Sequence, residues 1–229
     1  MATDLCAKVT CLASSLRKHH SRLVSKRALA HLRTDPTMAG LIDRVGPVKL
    51  RPRRLPPFQS LVHAVIHQQL SGQAAGTILG RFRALFGDDG FPTPQAVLKA
   101  SPERLRSAGL SGPKASYVLG IAQKAVDGHI PTLDQCERMT DAEIMERLTS
   151  IKGIGRWTAE MLLIFNLGRA DVLPVDDLGV RKSFQFAFGK RKLPEPDQLA
   201  CYGVRWAPHR TTAAWYLWRA ADFLDGDGW

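Results

Sequence analysis

The segment Leu148-Thr-Ser-Ile-Lys-Gly-Ile-Gly-Arg-Trp-Thr-Ala159 holds the first arrangement able to do chemistry. Gly153-Ile154-Gly155 predicts a very tight turn between two helices, because glycines accept φ > 0 and let backbone approach a surface without side-chain interference. Successive amides there, with the N-terminus of the second helix, make a nest suited to a phosphate, flanked by Lys152, Arg156 and Thr158. A lone Gly-x-Gly usually marks only an interhelical turn; Leu148, Ile151 and Thr158-Ala159 around it make the signal more specific. About 20 residues on, Val172-Leu-Pro-Val-Asp-Asp-Leu-Gly-Val180 places Asp176 and Asp177 after a chain-stopping Pro174, where a helix should begin. An acid at a helix start is most often a cap. A carboxylate held there can also stabilise a developing cation or activate water.

The elements that must position these groups read as helices separated by Gly/Pro punctuation, with almost no strand-like alternation. Thr34-Asp35-Pro36 caps a helix through Met38, Leu41 and Ile42, and a Pro/Arg-rich connector follows from Gly46 to Pro57. Phe58, Leu61, Val62, Val65 and Ile66 recur at helical spacing until Ser71-Gly72. Ala75, Ile78, Leu79, Phe82 and Phe86 form the next stripe, ended by Gly87-Asp88-Asp89-Gly90. Thr93-Pro94 and Ser101-Pro102 each set a capping residue before a proline. Helices are expected over Lys114–Val126 and from Thr140, whose capping box with Glu143 opens a face of Ile144 and Leu148. A long apolar helix should run from the glycine turn to about Leu167, and two more over Val175–Phe188 and Thr211–Phe223. The expected class is all-α.

Composition narrows the partners. The 229 residues carry a net charge of +11, of which residues 1–54 supply +9, twelve Lys/Arg standing against Asp4, Asp35 and Asp43. Such a balance favours a polyanion, since each phosphate neutralised releases counterions, although a basic tail over residues 1–30 could equally be a solvated one. Cys6, Cys11, Cys136 and Cys201 are scattered without a Cys-x-x-Cys pair, and no His stands at finger spacing, which argues against zinc and iron–sulfur sites. His19-His20 reads as a solvated pair. No apolar run approaches the roughly 18 residues of a membrane helix, and the N-terminus lacks the apolar core of a secretory signal. The expectation is an intracellular protein.

The glycine turn and the Pro-rich loop with its aspartate together resemble the helix-hairpin-helix DNA glycosylase superfamily. Within it the chain is similar to the 3-methyladenine DNA glycosylase II branch, often called AlkA-type. Pro57-Phe-Gln-Ser-Leu-Val-His-Ala-Val-Ile-His-Gln-Gln-Leu-Ser71 resembles that branch's helix with an invading loop, and Trp206-Ala-Pro-His-Arg-Thr-Thr-Ala-Ala-Trp-Tyr-Leu-Trp218 its C-terminal helix. The likeness spans about residues 35–223, without the separate N-terminal sheet domain of longer members. It implies a basic extension over 1–30, a catalytic domain over 31–229 with its hairpin at about 141–167, and two helical subdomains flanking an active-site cleft.

The resemblance assigns roles residue by residue. Asp177-Leu-Gly-Val180 matches the family's Asp-x-x-Val, which makes Asp177 the catalytic aspartate and Asp176 a supporting acid or cap. Trp157 stands where bifunctional relatives carry a lysine nucleophile and cannot form a Schiff base, which implies hydrolysis without lyase activity. Trp157, Trp218, Gln68, Met161 and Asp176 are assigned to the base pocket. Lys152, Gly153, Ile154, Gly155, Arg156 and Thr158 are assigned to the DNA backbone, and Gln69 to the wedge that fills the vacated stack, where an apolar residue is common. Met161 replaces a frequent tyrosine. A base inside a duplex must rotate out to react, and a cationic alkylpurine would be sandwiched by Trp157 and Trp218 and released by hydrolysis at Asp177. The implied partner is double-stranded DNA with alkylated bases, bound by a monomer. No cofactor or catalytic metal is implied; the resemblance is compatible with a structural monovalent cation at the hairpin. The expected location is the cytoplasm with the nucleoid in a bacterium, or the nucleus in a eukaryote. Two other readings are a non-catalytic helix-hairpin-helix module, which would be far shorter, and a glycosylase of this fold for mismatched or oxidised bases. The missing lysine and cysteine cluster count against the common forms of the latter.

Overall fold

Ser and Thr residues set most of the helix starts in the computed structural model, which describes residues 24–87 and 90–221. The basic stretch before residue 24 with its histidines and Cys6 and Cys11, Asp88-Asp89, and the expected helix end at Phe223 lie outside the described residues. In chain order the α-helices are α1 (Lys26–Leu32), α2 (Pro36–Val45), α3 (Pro57–His67), α4 (Gly72–Ala84), α5 (Pro94–Leu98), α6 (Pro102–Ser107), α7 (Gly112–Val126), α8 (Leu133–Arg138), α9 (Asp141–Thr149), α10 (Arg156–Met161), α11 (Leu178–Ala187), α12 (Pro196–Gly203) and α13 (Arg210–Ala220). A π-helical segment, Leu162–Leu167, continues α10, and a 3₁₀ turn, Val204–Trp206, precedes α13. Among the described residues there is no strand, as an all-α chain requires.

The chain divides into two compact units. The first takes the chain up to Pro52 and from Gly168 onward, the second Arg53–Leu167. In the first, Leu32, Met38, Phe184, Trp206, Tyr216 and Leu217 are part of one buried cluster. Asp35 organises it. Oδ1 caps α2 by accepting from the amides of Thr37 and Met38, and Oδ2 accepts from Tyr202 Oη (3.0 Å) and Trp206 Nε1 (3.2 Å). In the second unit, Phe58, Leu61, Val62, Val65 and Ile66 of α3 are buried, as their spacing predicts. So are Ala115, Val118, Ile121 and Ala122 of α7. Ser71, Thr93, Ser101, Ser111, Thr132 and Thr140 each accept the amide three residues on, a contribution of about 1 kcal/mol per cap.

Four differences from the sequence reading have physical causes. The helix after the hairpin is not one α-helix to Leu167. Beyond Met161 it widens into the π segment, where the amides of Arg53 and Arg54 donate to the carbonyls of Phe165 (2.9 Å) and Asn166 (3.1 Å). Asn166, buried, also pairs with the backbone of Leu55 in both directions, at 2.9 and 2.8 Å. Second, α11 begins at Leu178 rather than near Val175, because Asp177 accepts the amide of Val180 at 2.8 Å and defines the start. Third, the C-terminal helix starts at Arg210, and Trp206 sits in the core one turn earlier. Fourth, α8 and α12 are too short to show periodicity, and α1 crosses residue 30 by burying Ala28 and Leu32 on one face.

Candidate functional site

The catalytic candidate is built at the start of α11. Asp177 is the N-cap, and its Oδ1 accepts both the Val180 amide (2.8 Å) and the indole N–H of Trp218 (3.0 Å). Two donors on one oxygen set the plane of the carboxylate. Asp176 is therefore not the cap; that role falls to its neighbour. A Cβ on Gly179 would stand 3.1 Å from Asp177 Oδ1 and 3.6 Å from Trp218 Cδ1, so the absent side chain leaves room for this contact. Nothing in the sequence around Gly179 signals this close approach, because Trp218 comes from a helix 39 positions later.

α13 delivers Trp218 along a stitched path. Arg210 grips Asp171 with its fork, Nε to Oδ1 at 2.8 Å and the terminal nitrogen to Oδ2 at 2.9 Å. Thr211 donates its hydroxyl to the Arg169 carbonyl (2.7 Å) and accepts the Val172 amide (3.0 Å). The first turn of α13 is thus fastened to the chain leading into Pro174 and Asp177. Burial pushes the Asp171 carboxyl up, but the bonds from Arg210 outweigh it and hold it below the usual aspartate range. Trp218 is half-buried against the first unit's core and edge-to-face with Trp215, ring centroids 6.3 Å apart.

The hairpin belongs to the second unit. Gly153 has φ +91°, and a Cβ there would stand 2.6 Å from the ring of Tyr117, so glycine is required twice over. Gly155 differs. It is the N-cap of α10 in an ordinary extended conformation (φ −85°), and a Cβ on it would meet nothing within 4 Å. Neither the backbone conformation nor a neighbouring atom requires glycine there. No side chain caps α10, and its ladder begins with the Ala159 amide on the Gly155 carbonyl, so the amides of Gly155 to Thr158 precede it. The side chains of Ile154 and Thr158 are buried. The Ile154 amide donates to the Ile151 carbonyl at 3.0 Å, so neither this amide nor the two buried side chains is presented to solvent. Lys152 and Arg156 are exposed, and Arg156 Nε donates to buried Glu160 at 2.9 Å. Trp157 is 45% exposed, unusual for an indole, and half-buried Met161 follows one turn later on the same face.

Gln68 and Gln69 form the turn that ends α3. Gln69 is exposed with φ +56°, a left-handed conformation that costs a non-glycine residue about 1–3 kcal/mol and needs outside support. Gln68 Nε2 donates to the Gly153 carbonyl (3.2 Å), which commits its amide to joining this turn to the hairpin. Lys114 supplies more support: Nζ donates to the carbonyls of Ile66 (2.8 Å) and Gln68 (2.7 Å). Neither Lys114 nor Tyr117 was signalled by the sequence, since each meets partners more than 30 positions away.

Asp176, Asp177 and Trp218 thus lie in the first unit, whereas Gln68, Gln69, the hairpin, Trp157 and Met161 lie in the second. Among the described residues no three His, Cys, Asp or Glu side chains gather as metal ligands. Residues 62–208 match the family model of the HhH-GPD superfamily base excision DNA repair protein. The chain is 41% identical over 195 residues to DNA-3-methyladenine glycosylase 1 of Schizosaccharomyces pombe, covering 83% of this chain and 85% of the relative. It is 36% identical to an alkylbase DNA glycosidase-like protein of the same yeast, covering 85% and 92%. The solved structure of the S. pombe 3-methyladenine DNA glycosylase in complex with abasic DNA superposes with a TM-score of 0.78 at 39% identity, covering 88% of this chain and all of that one.

Proposed function

The chain belongs to the HhH-GPD superfamily of base excision DNA repair proteins, and from that premise we propose that it is a monofunctional DNA-3-methyladenine glycosylase. It binds double-stranded DNA as a monomer, rotates an alkylated purine out of the stack and hydrolyses the N-glycosidic bond, leaving an abasic site. The observation that carries this reading is the Asp177 carboxylate, aimed by the Val180 amide and the Trp218 indole.

Alkylation at a ring nitrogen makes 3-methyladenine and 7-methylguanine cationic. Such a base leaves with the glycosidic electron pair and becomes neutral, so little protonation is asked of the protein. The sugar is left oxocarbenium-like. Asp177 stabilises that charge and accepts the proton of the water that adds to the anomeric carbon. A cation over an indole face gains roughly 0.5–2 kcal/mol, which gives exposed Trp157 and half-buried Trp218 a basis for preferring charged lesions. The amides at the start of α10 with Lys152 and Arg156 meet backbone phosphates. A structural monovalent cation at the turn would rest on main-chain carbonyls. Those of Ile151 and Gly153 accept one N–H each and keep a second lone pair. It would add positive charge beneath the phosphate. The protein acts where the DNA is, in the nucleoid or the nucleus.

Single-turnover base release from duplexes with 3-methyladenine or 7-methylguanine tests the reading. Free base and an alkali-labile abasic strand should appear together. Borohydride should trap no protein–DNA adduct, because Trp157 occupies the lysine position. Failure to release either base would overturn the activity, and an adduct in good yield would overturn its monofunctional character.

A further inference from the structure

Three of the capping boxes in this chain place Gln135, Glu143 and Gln198 at the third helical position, where each side chain returns to the cap. In α7 the cap is Ser111 and the third position is Lys114. A cation in the first turn opposes the helix dipole, and a lysine cannot accept the cap amide. Local helix stability therefore gives no reason for this residue. Its ammonium instead leaves α7 altogether and donates to the carbonyls of Ile66 and Gln68 at the C-terminus of α3, where a cation is favoured. Burial lowers its basicity without changing that geometry.

Directly after the second of these carbonyls comes Gln69, exposed at φ +56°. Three residues after Lys114 on the same face of α7, the Tyr117 ring lies against Gly153, and Gln68 Nε2 closes the circuit onto the Gly153 carbonyl. Ala115, Val118, Ile121 and Ala122 anchor α7 in the core below. One helix thus holds both the strained turn and the hairpin. We propose that Lys114 is a positioning residue for base displacement: by holding the Ile66 and Gln68 carbonyls it keeps Gln69 presented to the duplex, in fixed register with the phosphate-gripping turn. This role rests on the base-flipping glycosylase activity proposed for the chain.

The test uses Lys114→Met, which keeps the apolar stem, Lys114→Gln, which completes a capping box with Ser111, and Lys114→Arg, which restores donors and charge. Stopped-flow fluorescence of 2-aminopurine beside the lesion reads flipping, alongside thermal melting and affinity for undamaged duplex. Lys114→Met should slow flipping at least about tenfold while undamaged-duplex affinity stays within about twofold. Lys114→Gln should melt no lower than the wild type and still flip slowly, an outcome that a merely structural lysine would not produce. Lys114→Arg should recover part of the rate. On a bulged lesion, already unpaired, the defect should shrink because flipping costs least there. Wild-type flipping by folded Lys114→Met or Lys114→Gln overturns the proposal, as does an equal defect on bulged and paired substrates. Should Lys114→Met fail to fold, Lys114→Gln decides alone. A wild-type protein that flips 2-aminopurine duplexes but releases no base would instead strike the glycosylase reading.

Discussion

The two units hold their candidate site residues by different means. In the first, a side-chain charge is aimed by side-chain and cap hydrogen bonds, with Asp177 Oδ1 shared by Val180 and Trp218. In the second, beside the exposed side chains of Lys152, Arg156 and Trp157, the candidate parts are backbone shapes: Gly153 at φ +91°, Gln69 at φ +56°, and the open cap Gly155. Bond breaking needs a charge that does not reorganise, whereas gripping and opening a duplex needs a contour. Substitutions in the first unit's set should therefore change rates at nearly constant affinity, and those in the second should change affinity or flipping.

Asp177→Asn should produce the largest effect and the sharpest form of the contrast. Asparagine caps a helix as well as aspartate, so the Val180 bond and the melting temperature should survive. Loss of the carboxylate charge should cost about 3–4 kcal/mol of transition-state stabilisation, roughly a 10²–10³-fold slower base release. Lesion affinity should stay close to wild type. Wild-type-like turnover by the folded variant would break the division between the units.

Next come the tryptophans. Trp157→Leu should lower the ratio of cationic to neutral lesion release by about two- to thirtyfold, the range of a cation over an indole. Stability should change little, because that side chain is exposed. Trp218 packs on the core and holds Asp177, so Trp218→Leu should lower melting temperature and slow all lesions. Trp218→Phe refines the reading. If Trp218 works by stacking, phenylalanine keeps part of the ratio; if it works through Asp177, every lesion slows equally. Rates and melting curves measured together decide.

The legibility of the sequence divides along the same line. A helix start after Pro174 was legible from the acids there, but which of Asp176 and Asp177 caps the helix is given only by the Val180 bond. Gly153 was legible as a turn glycine, but Gly155 was credited with the same conformation and does not have it. Helices with wide apolar faces, such as α3 and α7, were read directly, and Thr93, Ser101 and Thr140 marked true starts. The π segment was not legible, since the amides engaging its carbonyls come from a connector more than 100 residues earlier. Lys114 was hidden for the same reason: on its own helix it looks like a solvated lysine.

The two hairpin glycines offer a smaller test inside the second unit. Gly155→Ala adds a methyl group in open space and should leave stability unchanged. By crowding the approach of a phosphate it should weaken binding to damaged and undamaged duplexes alike, by about tenfold if one charge-assisted hydrogen bond is lost. Gly153→Ala must place a Cβ against Tyr117 at positive φ, so it should cost about 1–3 kcal/mol of stability before any DNA is added. Equal losses of affinity and equal melting temperatures for the two variants would show that the open cap has no separate role. Fluorescence anisotropy and thermal melting measure both.

The smallest expected effect concerns acid, and it too separates the units. His63 of α3 is edge-to-face with Phe91, and its Nε2 is buried without a hydrogen-bond partner among the described residues. Burial first, and then the charges of His67, Arg53 and Arg83, push its pKa down to about 4 from 6.5. Above pH 6.5 the folded and unfolded states are both neutral here, and this residue adds no pH dependence. Between 6.5 and about 4 the unfolded chain takes up a proton that the folded state refuses, so stability falls as pH falls; below that the penalty is complete. In the first unit Asp171 is depressed below 3.8, so the stabilisation it brings is present above 3.8 and lost only as pH drops through its lower folded value. His209 there is lowered as well, by burial, His31 and Arg27, but Asp171 opposes the shift. Hydrogen exchange should accordingly show α3 and its Gln68–Gln69 turn loosening at pH 5 relative to pH 7.5, more than α11 and α13. His63→Met, apolar and adaptable among aromatics, should flatten the dependence of melting temperature on pH between 6.5 and 4 while leaving the value at pH 7.5 nearly unchanged. An unaltered slope would remove His63 as the acid-sensitive point and with it the expectation that the second unit yields first.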